Sequence, residues 1–138
     1  MNKEELKQIM PHRDAMLLMD EVSVGEDKKA YGQVHIRGDE WFLLGHFPGN
    51  PIVPGVILCE MAAQTCCLLI KGLINDKLPM FTGMNKVKFK HPVKPGDCVK
   101  FVGKLVKYKH PFYFTAVKGY IDDKLCLKAE YSFALVDA

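Results

Sequence analysis

Residues 56–73 read VILCEMAAQTCCLLIKGL, a run in which Leu, Met, Ala, Ile and Cys fall on every face of a helical projection rather than on one stripe. A helix that is apolar all round must be buried all round, so the remainder of this 138-residue chain has to wrap it. The length is that of one domain, and the 49% hydrophobic content suffices for one core. The expectation is a single domain over residues 1–138, with one long helix at its centre.

The wrapping material reads as strands. Residues 29–36 alternate Ala30, Gly32, Val34 and Ile36 against Lys29, Tyr31, Gln33 and His35, and residues 17–24 form an apolar stretch before them. After the helix the period is two over residues 80–90, 98–108, 112–121 and 125–136. Pro92-Val93-Lys94-Pro95-Gly96-Asp97, His110-Pro111 and Asp122-Asp123 mark the connections. Four consecutive strands with short connections predict an antiparallel meander, and the class is α+β: a sheet curled around a helix. Residues 3–9 read as a short helix ended before Pro11. One curled sheet covers only part of its helix, so a symmetric dimer is expected to cover the rest.

Between strand and helix lies GHFPGNPIVPG, residues 45–55, with three prolines and three glycines in eleven residues. It cannot be regular structure and must be a fixed, turned loop that delivers Pro54 to the first turn of the helix. Within this segment His46 stands out among the five histidines, because Gly45, Pro48 and Gly49 hold the backbone beside it; His12, His35, His91 and His110 read as turn, strand or surface residues.

Glu60 is the one acid between Glu40 and Asp76. A carboxylate on a buried helix is costly and its pKa is expected to rise unless hydrogen bonds or a cation compensate; the alternative is that it reaches an exposed helix edge. Gln64, one turn on, lies on the same face and can orient it. The helix start at Pro54-Gly55 presents unpaired N–H groups and the positive end of the helix dipole, suited to a carbonyl oxygen that gains charge. A base, an acid and an anion-stabilising helix start are the parts of an elimination site.

The net charge of +3 is too small for a dedicated nucleic-acid binder. Lys86, Lys88, Lys90 and Lys94 nevertheless fall within nine residues, either as a solvated strand face or as a docking patch for an acidic partner. Five cysteines without a CxxC pair read as small apolar residues of a reducing compartment rather than as metal ligands. The opening residues MNKEELKQIMPHR carry charge where a secretory leader needs an apolar core, and no apolar run is long enough to span a membrane. A cytoplasmic protein is expected.

Three segments, PHRDAMLLMDE, GHFPGNPIVPGVILCEMAAQ and KVKFKHPVKPGD, together resemble the beta-hydroxyacyl-acyl-carrier-protein dehydratases of bacterial fatty acid synthesis. The resemblance covers nearly the whole chain, and His-Phe-Pro-Gly followed by Pro-Gly and a helix Glu fourteen residues after the His is its most specific part. It implies a hotdog fold, in which a long helix is wrapped by an antiparallel sheet, and dimers that can assemble as trimers of dimers. It implies that His46 removes the C2 proton of a (3R)-3-hydroxyacyl thioester and that Glu60 protonates the departing hydroxyl, giving the trans-2-enoyl product. Gly55 would donate from its backbone to the thioester carbonyl, Gln64 would orient the acid, and Ile52–Val53 would position the histidine.

An acyl tunnel would be lined by Leu58, Met61, Met80, Phe81, Met84 and Phe89, and an acyl carrier protein, bearing the substrate on phosphopantetheine, would dock at Lys86, Lys88, Lys90 and Lys94. No metal or organic cofactor is implied. Glu at position 60, rather than Asp, favours the general dehydratase branch over the isomerising one. The chain departs from the family where Asp14, Ala15 and Met16 replace a common aromatic pair, and where Met80 stands in place of a tunnel-gating tyrosine. Two alternatives share the expected features: a hotdog thioesterase, and a non-catalytic acyl-thioester sensor. The sensor would need a DNA-binding extension, for which 138 residues leave no room.

Overall fold

A computed structural model describes residues 1–8, 12, 14–44, 49–73 and 77–137. Helix α1 spans Lys3–Leu6 and is closed by a capping box between Asn2 and Glu5. Strands β1 (Glu21–Val24) and β2 (Ala30–His35) follow, then helix α2 (Gly55–Cys67), which runs on as a 3-10 helix over Leu68–Leu73. Strands β3 (Lys77–Phe89), β4 (Cys98–Lys109), β5 (Phe112–Ile121) and β6 (Lys124–Asp137) complete the chain. All six strands form one antiparallel sheet that curls around α2.

The helix is shorter than its apolar run. The α-helical part stops at Cys67, and Ile70 leaves the helical region at φ −119° and ψ 17°. The cause is packing, because Ile70 joins Tyr113 and Leu135 in a second buried cluster apart from the main core. Burial is uneven as well. Residues Leu58 to Cys67 are buried except Glu60, whereas Val56 is 75% exposed.

The sheet is not the simple meander that the strand spacing predicts. Its order is β1-β2-β4-β5-β6-β3, so β4, β5 and β6 form hairpins while β3 lies at the far edge, paired with β6. The reason lies in residues 90–97, which do not turn back on β3 but cross the fold. Val53 N–H donates to Val93 O at 2.9 Å, Ile36 N–H to Asp97 O at 2.9 Å, and Gly96 N–H to Ile36 O at 2.7 Å. Those bonds start β4 beside β2, and Val93 is fully buried under them.

Helix and sheet meet at two glycines. A Cβ on Gly32 of β2 would fall on Thr65 and 2.8 Å from Met19 Cε, and one on Gly103 of β4 would lie 2.8 Å from Cys66 Sγ. Missing side chains therefore set how closely α2 approaches the sheet. Gly32→Ala should destabilise the fold by about 1–3 kcal/mol through overpacking, and most of that loss should vanish when Thr65→Ala is present. Urea denaturation of the single and double variants measures this coupling.

Candidate active site

Val56, Glu60 and Gln64 succeed one another at i, i+4, i+8 and form one stripe along α2. The stripe passes from exposed to buried: Val56 is open, the Glu60 side chain retains 23% of its exposure, and Gln64 is fully enclosed. Glu60 is therefore neither sealed in the core nor free in solvent; it stands at the edge.

Gln64 is held by the segment that covers it. Its Oε1 accepts from Leu18 N–H at 3.0 Å, and its Nε2 donates to Met16 O at 2.7 Å and to Glu60 Oε1 at 3.3 Å. Because an amide has one acceptor end and one donor end, the bond from Leu18 decides which end faces Glu60. The covering segment is pinned from its other side by Lys3, whose Nζ donates to Leu17 O at 2.7 Å and Met19 O at 3.0 Å. The expected orienting role of Gln64 thus has its geometry.

A second side chain reaches the same oxygen. His12 Nε2 lies 3.2 Å from Glu60 Oε1, with its side chain 20% exposed. Sequence reasoning placed His12 among the turn and surface histidines. His12 lies in the PHR segment that carries part of the family resemblance, but that resemblance assigns it no role and no spacing rule joins residue 12 to residue 60.

Other ionisable groups near Glu60 are kept neutral. Burial pushes the Cys66 thiol up to about 12 and raises Cys59 and Cys67 as well. Burial, followed by the neighbouring Cys59, also raises the Tyr131 hydroxyl, which donates to Cys59 O at 3.0 Å. Protonated thiols and a protonated phenol are poor nucleophiles at neutral pH, which leaves the Glu60 carboxyl and the His12 imidazole beside it as the titratable pair on this face of the helix.

At the helix start, Ile57 N–H and Leu58 N–H both return to Pro54 O, at 3.0 and 3.2 Å. Gly55 and Val56 hold first-turn N–H groups that no carbonyl of the helix can reach. A Cβ on Gly55 would lie 2.9 Å from Phe89 Cζ, so only glycine lets this ring approach the helix start. Ile52 is half-buried and Val53 buried, its N–H spent on Val93 O. His46 lies outside the described residues, as do Gly45, Phe47 and Pro48.

The six tunnel candidates fall in two places. Leu58 and Met61 belong to the core of the chain, whereas Met80, Phe81, Met84 and Phe89 are exposed along β3. Phe81 stacks on Phe133 at 5.1 Å. Lys86, Lys88, Lys90 and Lys94 are all exposed, and Lys86 shares an ion pair of 3.8 Å with Glu130.

Comparison with known proteins places the fold and the family. The fold is similar to that of the dehydratase heterocomplex ApeI:P from Xenorhabdus doucetiae, with a TM-score of 0.80 at 18% identity over 94% of this chain and 89% of that one. It is also similar to a thioesterase superfamily protein, RHA08564, with a TM-score of 0.61 over 82% of this chain and 52% of that one at 18% identity. These likenesses define the class as a hotdog fold, and within it the fold alone does not choose the chemistry.

Sequence is more specific. A family model described as ApeI-like, ApeI dehydratase, matches residues 21–128. The 3-hydroxyacyl-[acyl-carrier-protein] dehydratase FabZ of Alkaliphilus metalliredigens is 36% identical, across 99% of this chain and 95% of its own length. That of Clostridium beijerinckii is 37% identical, across 98% and 99%. The chain belongs to this dehydratase family, and is an enzyme of the hydro-lyase class.

The amide of Gln64 supports a direct expectation. Gln64→Leu keeps the volume but strands Leu18 N–H and Met16 O, at a cost of about 1–3 kcal/mol for each buried group left unsatisfied. It should therefore lower both the urea midpoint and the rate of dehydration, whereas Gln64→Glu, which still accepts from Leu18 N–H but sets a second carboxyl against Met16 O and Glu60, should lower the rate further.

Proposed function

We propose that the protein dehydrates (3R)-3-hydroxyacyl-[acyl-carrier-protein] to the trans-2-enoyl thioester in fatty acid biosynthesis, with His46 as base and Glu60 as acid. The observation that carries the reading is the Glu60 carboxyl, approached on one oxygen by Gln64 and His12 at the partly exposed edge of α2, five residues along the helix from its start at Gly55.

In the proposed reaction His46 takes the C2 proton, the C2–H electrons form the C2–C3 double bond, and the C3–O bond breaks as Glu60 gives its proton to the hydroxyl, which leaves as water. Enolate-like charge grows on the thioester oxygen, where Gly55 N–H donates; such a donor contributes a factor of roughly 10²–10³. The Ile52–Val53 backbone holds the histidine, and Val53 is itself anchored to Val93. Acid, base and backbone donor suffice for the step without a cofactor.

The acyl chain is proposed to run past Leu58 and Met61 and along Met80, Phe81, Met84 and Phe89. Those β3 side chains are exposed in a single chain, which supports a homodimer, and a trimer of such dimers, as the form in which the tunnel closes. The carrier protein with its phosphopantetheine arm is proposed to dock at Lys86, Lys88, Lys90 and Lys94. No described helix is long and apolar enough to cross a membrane, and five free thiols support a cytoplasmic location.

Product analysis separates this reading from thioester hydrolysis, since dehydration yields enoyl absorbance with the thioester intact and hydrolysis releases a free thiol. Glu60→Gln and His46→Ala should each lower the dehydration rate by roughly 10²–10⁴-fold while leaving the circular dichroism spectrum unchanged. A folded variant of either kind with near-normal turnover contradicts the assignment. In the same assay, steering by the lysines predicts a rate that falls with salt for the carrier-bound substrate but not for a short thioester mimic.

A further inference from the structure

We infer that His12 is a positioning residue for the acid, donating from Nε2 to Oε1 of Glu60 and so confining the transferable proton to Oε2. The inference rests on the reading of Glu60 as the acid.

A carboxylic acid can carry its proton on either oxygen, and only one of the two can face a hydroxyl held in a fixed place. Oε1 of Glu60 is approached by Gln64 Nε2 at 3.3 Å and by His12 Nε2 at 3.2 Å. A proton on Oε1 would point into two N–H donors, so the neutral acid carries it on Oε2. Once Oε2 has delivered that proton, the same two donors face the carboxylate that remains, and no side chain has to rearrange during the step.

Gln64 alone does not accomplish this. Its bond to Glu60 is the longest of its three, and one donor leaves the carboxyl free to turn about its own axis. His12 supplies the second direction. It approaches from the chain just before the covering segment, whose place over α2 is fixed by Gln64 and Lys3. The bond from Leu18 N–H makes Gln64 the donor to Oε1; the hydrogen between His12 and Glu60 is assigned to His12 Nε2, the nitrogen that lies 3.2 Å from the same oxygen.

Two variants at one position test the role. His12→Phe removes the donor and retains a planar ring, and His12→Gln places an amide N–H at similar reach. With the 3-hydroxyacyl substrate, His12→Phe should lower kcat by roughly 10- to 100-fold, the scale of a misplaced catalytic group, with KM nearly unchanged, and His12→Gln should restore most of the loss. A 3-chloroacyl thioester supplies the second readout: the base takes the C2 proton and chloride leaves with the C3–Cl electron pair, so no acid is used. His12→Phe should eliminate chloride at close to the wild-type rate.

Equal loss with both substrates would mean a structural role and would overturn the inference. So would an unchanged kcat in His12→Phe, or a His12→Gln variant no better than His12→Phe. If His12→Phe does not fold, His12→Ala takes its place in each comparison. Glu60→Gln runs in parallel: should it still expel water at the wild-type rate, the reading of Glu60 as the acid fails, irrespective of His12.

Discussion

The candidate site depends on one buried carboxamide. Gln64 sits on the central helix with no exposure, and each of its hydrogen bonds has a separate consequence. The bonds to Leu18 N–H and Met16 O fasten the segment before β1 across the helix, and the third bond reaches Glu60. A buried amide left with one group unsatisfied would destabilise the core, so fold stability and the orientation of the acid are linked through the same side chain. Lys3 strengthens the link from the outside by clasping Leu17 O and Met19 O.

The second constraint is the contact of helix with sheet. Gly32 and Gly103 let α2 lie directly on β2 and β4, with Thr65 and Cys66 filling the space where side chains would stand. That contact fixes the rotation of the helix about its axis, and the stripe through Val56, Glu60 and Gln64 is consequently turned away from the sheet, towards the covering segment and the open surface. Had α2 been buried on all sides, Glu60 would have been sealed from any substrate. The uneven burial of this apolar helix is therefore what gives the carboxyl access to solvent and ligand.

Much of this was legible in the residues and some was not. The central helix and strands β2, β4, β5 and β6 follow from hydrophobic period, because burial on one or on most faces leaves that trace directly in the order of side chains; β1 is shorter than the apolar stretch that signals it, and β3 alternates in sequence although no residue of it is buried in the single chain. The place of β3 does not, since alternation says which face of a strand is buried but not which strand lies beside it; the hydrogen bonds of Val53, Ile36 and Gly96 decide that, and they are backbone bonds. The pairing of Glu60 with Gln64 was legible as a helix spacing. Its meeting with His12, 48 residues away in the chain and brought there by the covering segment, was not. Nor does apolar pattern alone tell a core residue such as Met61 from an exposed one such as Met84.

The open face of α2 is proposed to be completed by a second copy, whose His46 meets Glu60 across the twofold axis. Exposed Val56, Met80, Met84 and Phe89 are apolar surface that such a partner would cover. The direct measurement is to dissociate and reassemble inactive His46→Ala with inactive Glu60→Gln and to assay verified mixed dimers. With random pairing about half the dimers are mixed, each with one intact pair and one doubly broken site, so activity should return to roughly a quarter of wild type. Verified mixed dimers that remain inactive would show that the two residues do not meet across subunits, and would contradict the account.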